Sequence, residues 1–252
     1  MSWLGLLLIG VGLTDLVFSL LVTTGRPARI VPECVGAAAT VVMALLADLT
    51  AARDIVALVL VVVAVVVWGR TVTSGFRESR PLVPLAVLAV AVILGIAFSP
   101  FNNPTSGVLG DWLIETPWGL VQGMDSGSAM LLLGVFLVQL STGNVIVRLV
   151  LAATGTINPA RSHGKDSEEP PLKGGRLLGP MERVFIVGMA LAGQLTAASI
   201  VVAAKGLLRY PELQAARDPA DRGPGIHSLT EYFLLGTFLS WMVALGSLVL
   251  LV

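Results

Sequence analysis

The residues of this chain most able to do chemistry are charged and amide side chains that lie within long apolar segments. Between Gly174 and Arg209, an apolar stretch has ionic residues at both ends and one amide near its middle. Polar groups inside a membrane helix are costly, so they usually have a structural or functional role. The candidate cluster, which includes one residue of the next helix, is Arg176, Glu182, Arg183, Gln194, Lys205, Arg209 and Glu231.

The spacing within this cluster predicts a helix pair. Gln194 and Lys205 are separated by close to three full turns, so they are expected to share a face of one helix. Small residues beside that face allow a second helix to approach and to bind Gln194. The last apolar segment offers a matching stripe of Gly236, Ser240 and Ala244. In such a pair, Glu231 either binds Lys205 or Arg209, or each charge snorkels separately to the interface.

Three further polar residues are candidates for a role within the membrane. Asp15 lies well inside the first apolar run, where a carboxylate is expected to face protein or water rather than lipid. Asn144 and Arg148 are neighbours one helical turn apart in another apolar run. We expect the residues Thr142 to Asn144 to loosen this helix locally. Hydrogen bonding between helices is the favoured role of these polar groups, and a transport pathway is the alternative.

Catalytic and metal-binding patterns do not fit this chain. The segment around Ser126 lacks the G-x-S-x-G pattern of a nucleophile elbow. His163 and His227 fall in polar connections, which does not suit a base or a metal ligand in the membrane. The one cysteine, Cys34, cannot form an internal disulfide. The sequence therefore predicts no catalytic residue, no metal and no cofactor.

The overall composition indicates a membrane protein. Hydrophobic residues make up 55% of the chain and charged residues 13%, against about 25% charged residues in soluble domains. The formal net charge is zero, so no basic field recruits nucleic acid. The expected partner is the lipid bilayer.

Continuous apolar runs predict an all-α, polytopic bundle of about seven transmembrane helices. A span needs about 20 mainly apolar residues, and runs without period-two alternation exclude a barrel. The predicted spans are Trp3–Val22, Pro32–Leu49, Ile55–Gly69, Leu82–Phe98, Ser128–Leu151, Arg183–Gly206 and Leu229–Val252.

The positions of Lys and Arg predict the orientation. Basic residues follow the first and third spans and are absent between Arg80 and Arg148, which places the N-terminus outside. One connection disagrees with this topology. The loop from Leu207 to Ser228 falls outside although it carries three arginines.

Two long connections organise the chain. The polar segment 160–173 separates an N-terminal membrane bundle of about five helices, 1–159, from a C-terminal two-helix module, 174–252. The connection Ser99–Gly127 contains the amphipathic sequence GDWLIETPWG. Its tryptophans favour a half-helix at the membrane interface, and a lid over an external cavity is the alternative.

The C-terminal third resembles a bacterial membrane family known as a domain of unknown function. Four ordered blocks carry the resemblance: Gly175–Arg183, Gly193-Gln194, Ala203–Leu213 and Thr230–Ser240. The family pairs G-R-x-x-G-x-x-E-R with a central Gln, an A-K-S-x-x-R-F exit and an E-Y-x-x-x-G-T-x-x-S helix. The resemblance implies a helical membrane protein and adds no activity. The chain departs from the pattern at Gly206, Tyr210 and Pro180; a proline suits the first turn of a helix.

These observations favour a protein of the bacterial inner membrane with a non-enzymatic role, as scaffold, accessory subunit or sensor. The second hypothesis is a small transporter or channel in which Asp15, Asn144, Gln194 and Lys205 line a cavity. The third hypothesis is an intramembrane enzyme that acts on a lipid.

Overall fold

The computed structural model describes residues 1–23, 30–101, 107–119, 121–156, 175–200, 203–204, 207 and 226–251, and all the regular structure in these ranges is helical. The predicted all-α fold class is therefore confirmed. The described residues form two compact units, Met1–Val145 and Ile146–Leu250. The proposed linker, 160–173, lies outside the described residues, so a domain division there stays a prediction.

The helices follow one another along most of the described chain. The first five are α1 (Ser2–Thr23), α2 (Val31–Leu46), α3 (Ala52–Arg77), α4 (Leu82–Ala97) and α5 (Val108–Glu115). Then α6 (Ser126–Leu137) continues through a π-helical segment (Val138–Thr142) into α7 (Gly143–Ala153). The last two labelled helices are α8 (Gly175–Leu191) and α9 (Ile226–Val249). A short 3-10 turn, Ser99–Phe101, follows α4, and a further helical stretch covers 195–200.

Local sequence explains where several helices begin. Asp125 caps α6, because its Oδ2 accepts a hydrogen bond of 2.9 Å from the backbone N–H of Ser128. Pro32 lies in the first turn of α2, where its missing N–H costs nothing. Asp54 in the first turn of α3 and Arg77 in its last turn both complement the helix dipole.

Four helices are long and apolar enough to cross a membrane. These segments are Ser2–Leu21, Ala52–Arg77, Ser126–Ala153 and Glu231–Val249, and they correspond to four of the predicted spans. Helices α2 and α4 are apolar but have 16 residues each. That length rises about 24 Å, against a hydrocarbon core about 30 Å thick. The count of about seven spans is therefore not confirmed, and the orientation stays a prediction.

The prediction of one continuous helix over Arg183–Gly206 is wrong. Helix α8 begins earlier, at Gly175, and ends at Leu191. Gly193 has a φ of +72°, and the N–H groups of Gly193 and Gln194 donate to the carbonyls of Ala190 and Met189. This is the Schellman arrangement, which stops a helix at a left-handed glycine.

Pro180 also lies in a different place from the one expected. Because α8 starts at Gly175, Pro180 is inside the helix rather than in its first turn. A proline there removes one intrahelical hydrogen bond and favours a bend.

Helix α1 is the central element of the first unit. It contacts α2, α3, α4, α6 and the π-helical segment, and its candidate span is the most buried of the four. Gly12 permits the contact with the end of α6, because a Cβ at this position would lie 2.7 Å from Leu137 Cβ. Small residues of this kind let membrane helices pack closely.

Helices α3 and α4 present apolar side chains on their outer surfaces. On α3, Val59 and Leu60 are more than half exposed, and on α4, Val90 and Ile93 are exposed to a similar extent. Large contiguous apolar patches are rare on proteins surrounded by water. These faces suit contact with lipid, as expected of a membrane protein.

Candidate functional site: a buried polar layer

A hydrogen bond between Asp15 and Trp68 lies at the centre of the first unit. Asp15 on α1 is only 4% exposed. The indole Nε1 of Trp68 on α3 donates to both carboxylate oxygens of Asp15, at 3.1 Å to Oδ2 and 3.3 Å to Oδ1. A buried indole N–H usually finds an acceptor. Asp15 thus faces protein, which is one of the two environments, protein or water, expected from the sequence.

The π-helical segment places three further polar side chains inside the same unit. Gln139, Ser141 and Thr142 are all buried. The Ser141 hydroxyl donates to the backbone carbonyl of Gly12 on α1, at 2.8 Å. A π-helical turn rotates its side chains away from the positions of a regular α-helix, and such turns are frequent at functional sites. The predicted local loosening at Thr142–Asn144 is found one turn earlier, and the two overlap at Thr142.

Thr142 buries a hydroxyl within the π-helical segment. Within the described residues, the Thr142 Oγ1 has no hydrogen-bond partner. A hydroxyl both donates and accepts. The bundle therefore holds an unused hydrogen-bonding group at this position.

A second buried carboxylate, Glu33 on α2, lies on the neighbouring side of α1. Its Oε1 is 3.6 Å from Nε of Arg70 on α3, and the two side chains are 7% and 61% exposed respectively. Its Oε2 is buried and has no hydrogen-bond partner among the described residues. A Cβ at Gly69 would lie 2.7 Å from Glu33 Cγ and 3.3 Å from Thr14 Cγ2. The side chains of Glu33 and Thr14 thus meet over this glycine.

In the second unit, a buried arginine joins α8 to α9. Arg183 is 1% exposed, and Glu182 beside it is also buried. The Arg183 Nη1 donates to the Ser240 hydroxyl of α9 at 3.0 Å. Ala244 and Ser247 are buried on the same helix. The two helices are in contact, as predicted, and their polar contact comes from Arg183 rather than from Gln194. Ser240 is the residue of the predicted stripe that binds α8, whereas a Cβ at Gly236 would lie 3.7 Å from Leu151 Cδ1 of α7, so packing of the pair through the whole stripe stays a prediction.

Two further residues of the predicted cluster, Gln194 and Glu231, have side chains that the structure describes. Gln194 follows the end of α8 and is exposed, and Glu231 is exposed on α9. Arg176 lies in the first turn of α8, but its side chain is outside the described part of the chain, as are Lys205 and Arg209. The shared face of Gln194 and Lys205 and the pairing of Glu231 with Lys205 or Arg209 therefore stay predictions.

The two predicted residues of α7 differ in their environment. Asn144 is partly buried and Arg148 is exposed. Both make interactions within the described structure. Their i, i+4 spacing on one helix is as predicted.

Sequence reasoning missed two residues of the polar layer, Trp68 and Glu33. Trp68 ends a run of valines and alanines, where its indole N–H had no acceptor along the chain. That unmatched donor was the available signal. Glu33 follows Pro32 in a first helical turn, which explains its position and gives no indication of its burial.

The described residues hold no group of three or more His, Cys, Asp or Glu side chains placed to bind a metal. The Ser126 hydroxyl is buried at the start of α6. The side chains of His163 and His227 lie outside the described part of the chain.

Comparisons with protein-family models, with curated proteins and with solved structures find no match to this chain.

Proposed function

We propose that this chain is a non-enzymatic, multi-pass protein of the bacterial inner membrane that acts as a scaffold, accessory subunit or sensor. The observation that carries the proposal is how its buried polar groups are used. Three of them join different helices: Trp68 binds Asp15, Ser141 binds the backbone at Gly12, and Arg183 binds Ser240. Polar bonds between helices stabilise membrane bundles, and this use favours a structural role.

The C-terminal family resemblance is part of this proposal. Arg183 ends the G-R-x-x-G-x-x-E-R block, and Ser240 ends the E-Y-x-x-x-G-T-x-x-S block. These two residues are 57 positions apart and hydrogen-bonded to each other. The contact supports the idea that the two blocks form one packing unit.

A transporter or channel is the second candidate, and one observation favours it. Buried polar atoms of the first unit that have no hydrogen-bond partner among the described residues include Thr142 Oγ1 and Glu33 Oε2. Incompletely satisfied polar groups inside a membrane bundle are typical of ion and proton pathways.

Uptake by proteoliposomes distinguishes the two candidates. We expect the purified protein to give fluxes of ions and metabolites equal to those of protein-free liposomes. The matched control is Asp111→Asn, on the exposed helix α5. If the protein takes up a substrate, and this uptake is lost in Asp15→Asn but kept in Asp111→Asn, the scaffold proposal is rejected and a transporter is supported. Because the proposal predicts no flux, the protein must first be shown to be folded and inserted in the liposomes.

A further inference from the structure

Helix α3 carries an exposed polar stripe near its C-terminal end. Arg70, Ser74 and Arg77 are spaced four and three residues apart, so they lie on one face of the helix. All three side chains are exposed, and the buried residues Trp68 and Val72 lie on the opposite face. The stripe rises about 10 Å along the helix axis, a length that two arginine side chains can bridge. It therefore presents two guanidinium groups and a hydroxyl to a single ligand.

The stripe crosses the edge of the hydrocarbon core. From Asp54, the acidic residue in the first turn of α3, the helix rises about 24 Å to Arg70 and about 34 Å to Arg77. The hydrocarbon core is about 30 Å thick. With Asp54 at one interface, the backbone of Arg70 lies within the core and that of Arg77 lies beyond it. Arginine side chains at such a depth extend towards the headgroups, where the lipid phosphates lie.

Glu33 of α2 contacts the guanidinium of Arg70 from the inner side of the helix pair. The Glu33 Oε1 lies 3.6 Å from Arg70 Nε, and the two side chains are 7% and 61% exposed respectively. A guanidinium carries five N–H donors, and four of them belong to its two Nη atoms. These are enough to bind a phosphate in the bidentate geometry that arginine favours. The ion pair with Glu33 is thus compatible with a second, external anion.

The charges at this end of α3 match an anion with one negative charge. In α2, the C-terminal half of α3 and the turn after it, the described charged residues are Glu33, Arg70, Arg77, Glu78 and Arg80. Three arginines against two glutamates leave one positive charge. The phosphodiester of a phospholipid carries one negative charge at neutral pH. A phospholipid whose headgroup alcohol is uncharged therefore complements this end of the helix.

An apolar track continues from the polar stripe towards the middle of the membrane. Val63 lies seven residues before Arg70 and Val59 lies eleven residues before it, close to two and three full turns, so both share its face. Both valines are more than half exposed. The face thus combines cations at headgroup depth with exposed hydrocarbon below them. A free phosphate uses only the first part, whereas a phospholipid uses both.

We propose that this face of α3 is a binding site for one anionic phospholipid. The lipid phosphate binds Arg70, Ser74 and Arg77, and an acyl chain follows Val63 and Val59. The site goes beyond the proposed function, since a scaffold, a sensor and a transporter can each bind a lipid. Its tests measure lipid binding and not flux, so the two proposals can fail independently.

The first test measures lipid binding to the full-length protein in detergent by native mass spectrometry. We expect phosphatidylglycerol to bind roughly five times more tightly than phosphatidylcholine, the factor that one basic residue contributes towards an anionic lipid. Arg77→Gln is expected to remove this preference. The matched control is Arg53→Gln, which changes an exposed arginine near the other end of the same helix and should keep the preference.

Three results of this test overturn the proposal. Equal binding of the two lipids by the wild-type protein shows that the site does not select an anion. An equal loss in Arg77→Gln and Arg53→Gln shows a diffuse effect of charge. Glycerophosphoglycerol, the same headgroup without acyl chains, is expected not to displace phosphatidylglycerol at equal concentration. Displacement at equal concentration identifies a free phosphodiester as the ligand and rejects the lipid.

The second test uses the wild-type protein, so it does not depend on a variant being folded. Phosphatidylglycerol with a photoreactive diazirine on one acyl chain is added to proteoliposomes of phosphatidylcholine, and peptide mass spectrometry locates the crosslinks. We expect adducts at Val59 or Val63 that decrease when unlabelled phosphatidylglycerol is added. Adducts spread evenly over the exposed faces of α3 and α4 overturn the proposal. The same holds if this face of α3 gives no adduct, as expected where a second copy or another protein covers it.

Discussion

At the level of single residues, the contact between Arg183 and Ser240 has the clearest energetic consequence. Both side chains are buried, and the hydrogen bond links α8 to α9. A hydrogen bond that involves a charged group is worth more than a neutral one. In membrane bundles, however, an average interhelical bond contributes only about 0.6 kcal/mol, because the separated helices find other partners.

We expect Ser240→Ala to lower the free energy of unfolding by about 1 kcal/mol, since it removes one acceptor from a buried guanidinium. Reversible unfolding in mixed detergent micelles measures this change. The matched control is Ser199→Ala, because the exposed Ser199 hydroxyl binds the nearby Thr196 carbonyl of its own helical stretch. Equal losses in the two variants contradict a stabilising role for the Arg183 contact.

Asp125 carries a prediction about pH. Partial burial works to raise the pKa of Asp125, but hydrogen bonds from Ser128 and Gly127 outweigh it, so this pKa lies below its ordinary value. Because the pKa of Asp125 is lower in the folded protein than in the unfolded chain, the ionised cap stabilises the protein. This stabilisation is fully present at pH values above the unfolded-state pKa, about 3.9. That stabilisation is lost as the pH falls through the lowered value.

We therefore expect Asp125→Ala to destabilise α6 by about 1 kcal/mol at neutral pH and by less in acid. Thermal unfolding of both proteins over a pH series tests this. Asp125→Asn keeps a capping oxygen and loses the charge, so it should retain most of the stability without its acid dependence. A loss that is the same at every pH would show that the carboxylate charge has no part in the cap.

At the level of elements, the apolar runs predicted most helices, because in lipid a backbone must satisfy its hydrogen bonds within a helix. They did not predict the stop at Gly193, since glycine is common inside membrane helices. They also did not predict which residues meet. Trp68 and Asp15 are 53 positions apart, and their contact depends on the rotation of two helices about their axes, which spacing along one helix does not determine.

Substitutions at two glycines near the end of α8, Gly188 and Gly193, distinguish the effect of backbone conformation on stability from the effect of packing. A Cβ at Gly188 or at Gly193 would meet no atom of the described residues within 4 Å, and of these two glycines Gly193 has a positive φ, +72°. We expect Gly193→Ala to destabilise the protein by about 1 to 2 kcal/mol, the cost of a left-handed non-glycine residue. Gly188→Ala should be stabilising by about 0.5 to 1 kcal/mol, because alanine favours a helix.

Chemical unfolding of the two variants side by side checks this prediction. A stabilising Gly193→Ala would show that α8 continues past Leu191 in the membrane. That outcome restores the continuous helix expected from the sequence.

At the level of the whole molecule, the orientation in the membrane is open to a direct test. Seven spans with the N-terminus outside place the loop 207–228 outside. In a Cys34→Ser background, Ala216→Cys is then expected to react with a membrane-impermeant maleimide added to intact cells. Glu78→Cys, in the exposed turn after α3, is the control for an inside position and should react only after the cells are opened. Labelling of Ala216→Cys only in opened cells contradicts the predicted topology.

The central position of α1 has a consequence for how the protein is made. Its partners lie far downstream, with Trp68 on α3 and Ser141 129 positions after Gly12. At a synthesis rate of roughly 5 to 20 residues per second, Ser141 leaves the ribosome on the order of ten seconds after Gly12. The first helix thus reaches the bilayer with its acidic side chain unmatched, and an insertase or chaperone able to shelter one polar helix would determine the yield of assembled protein.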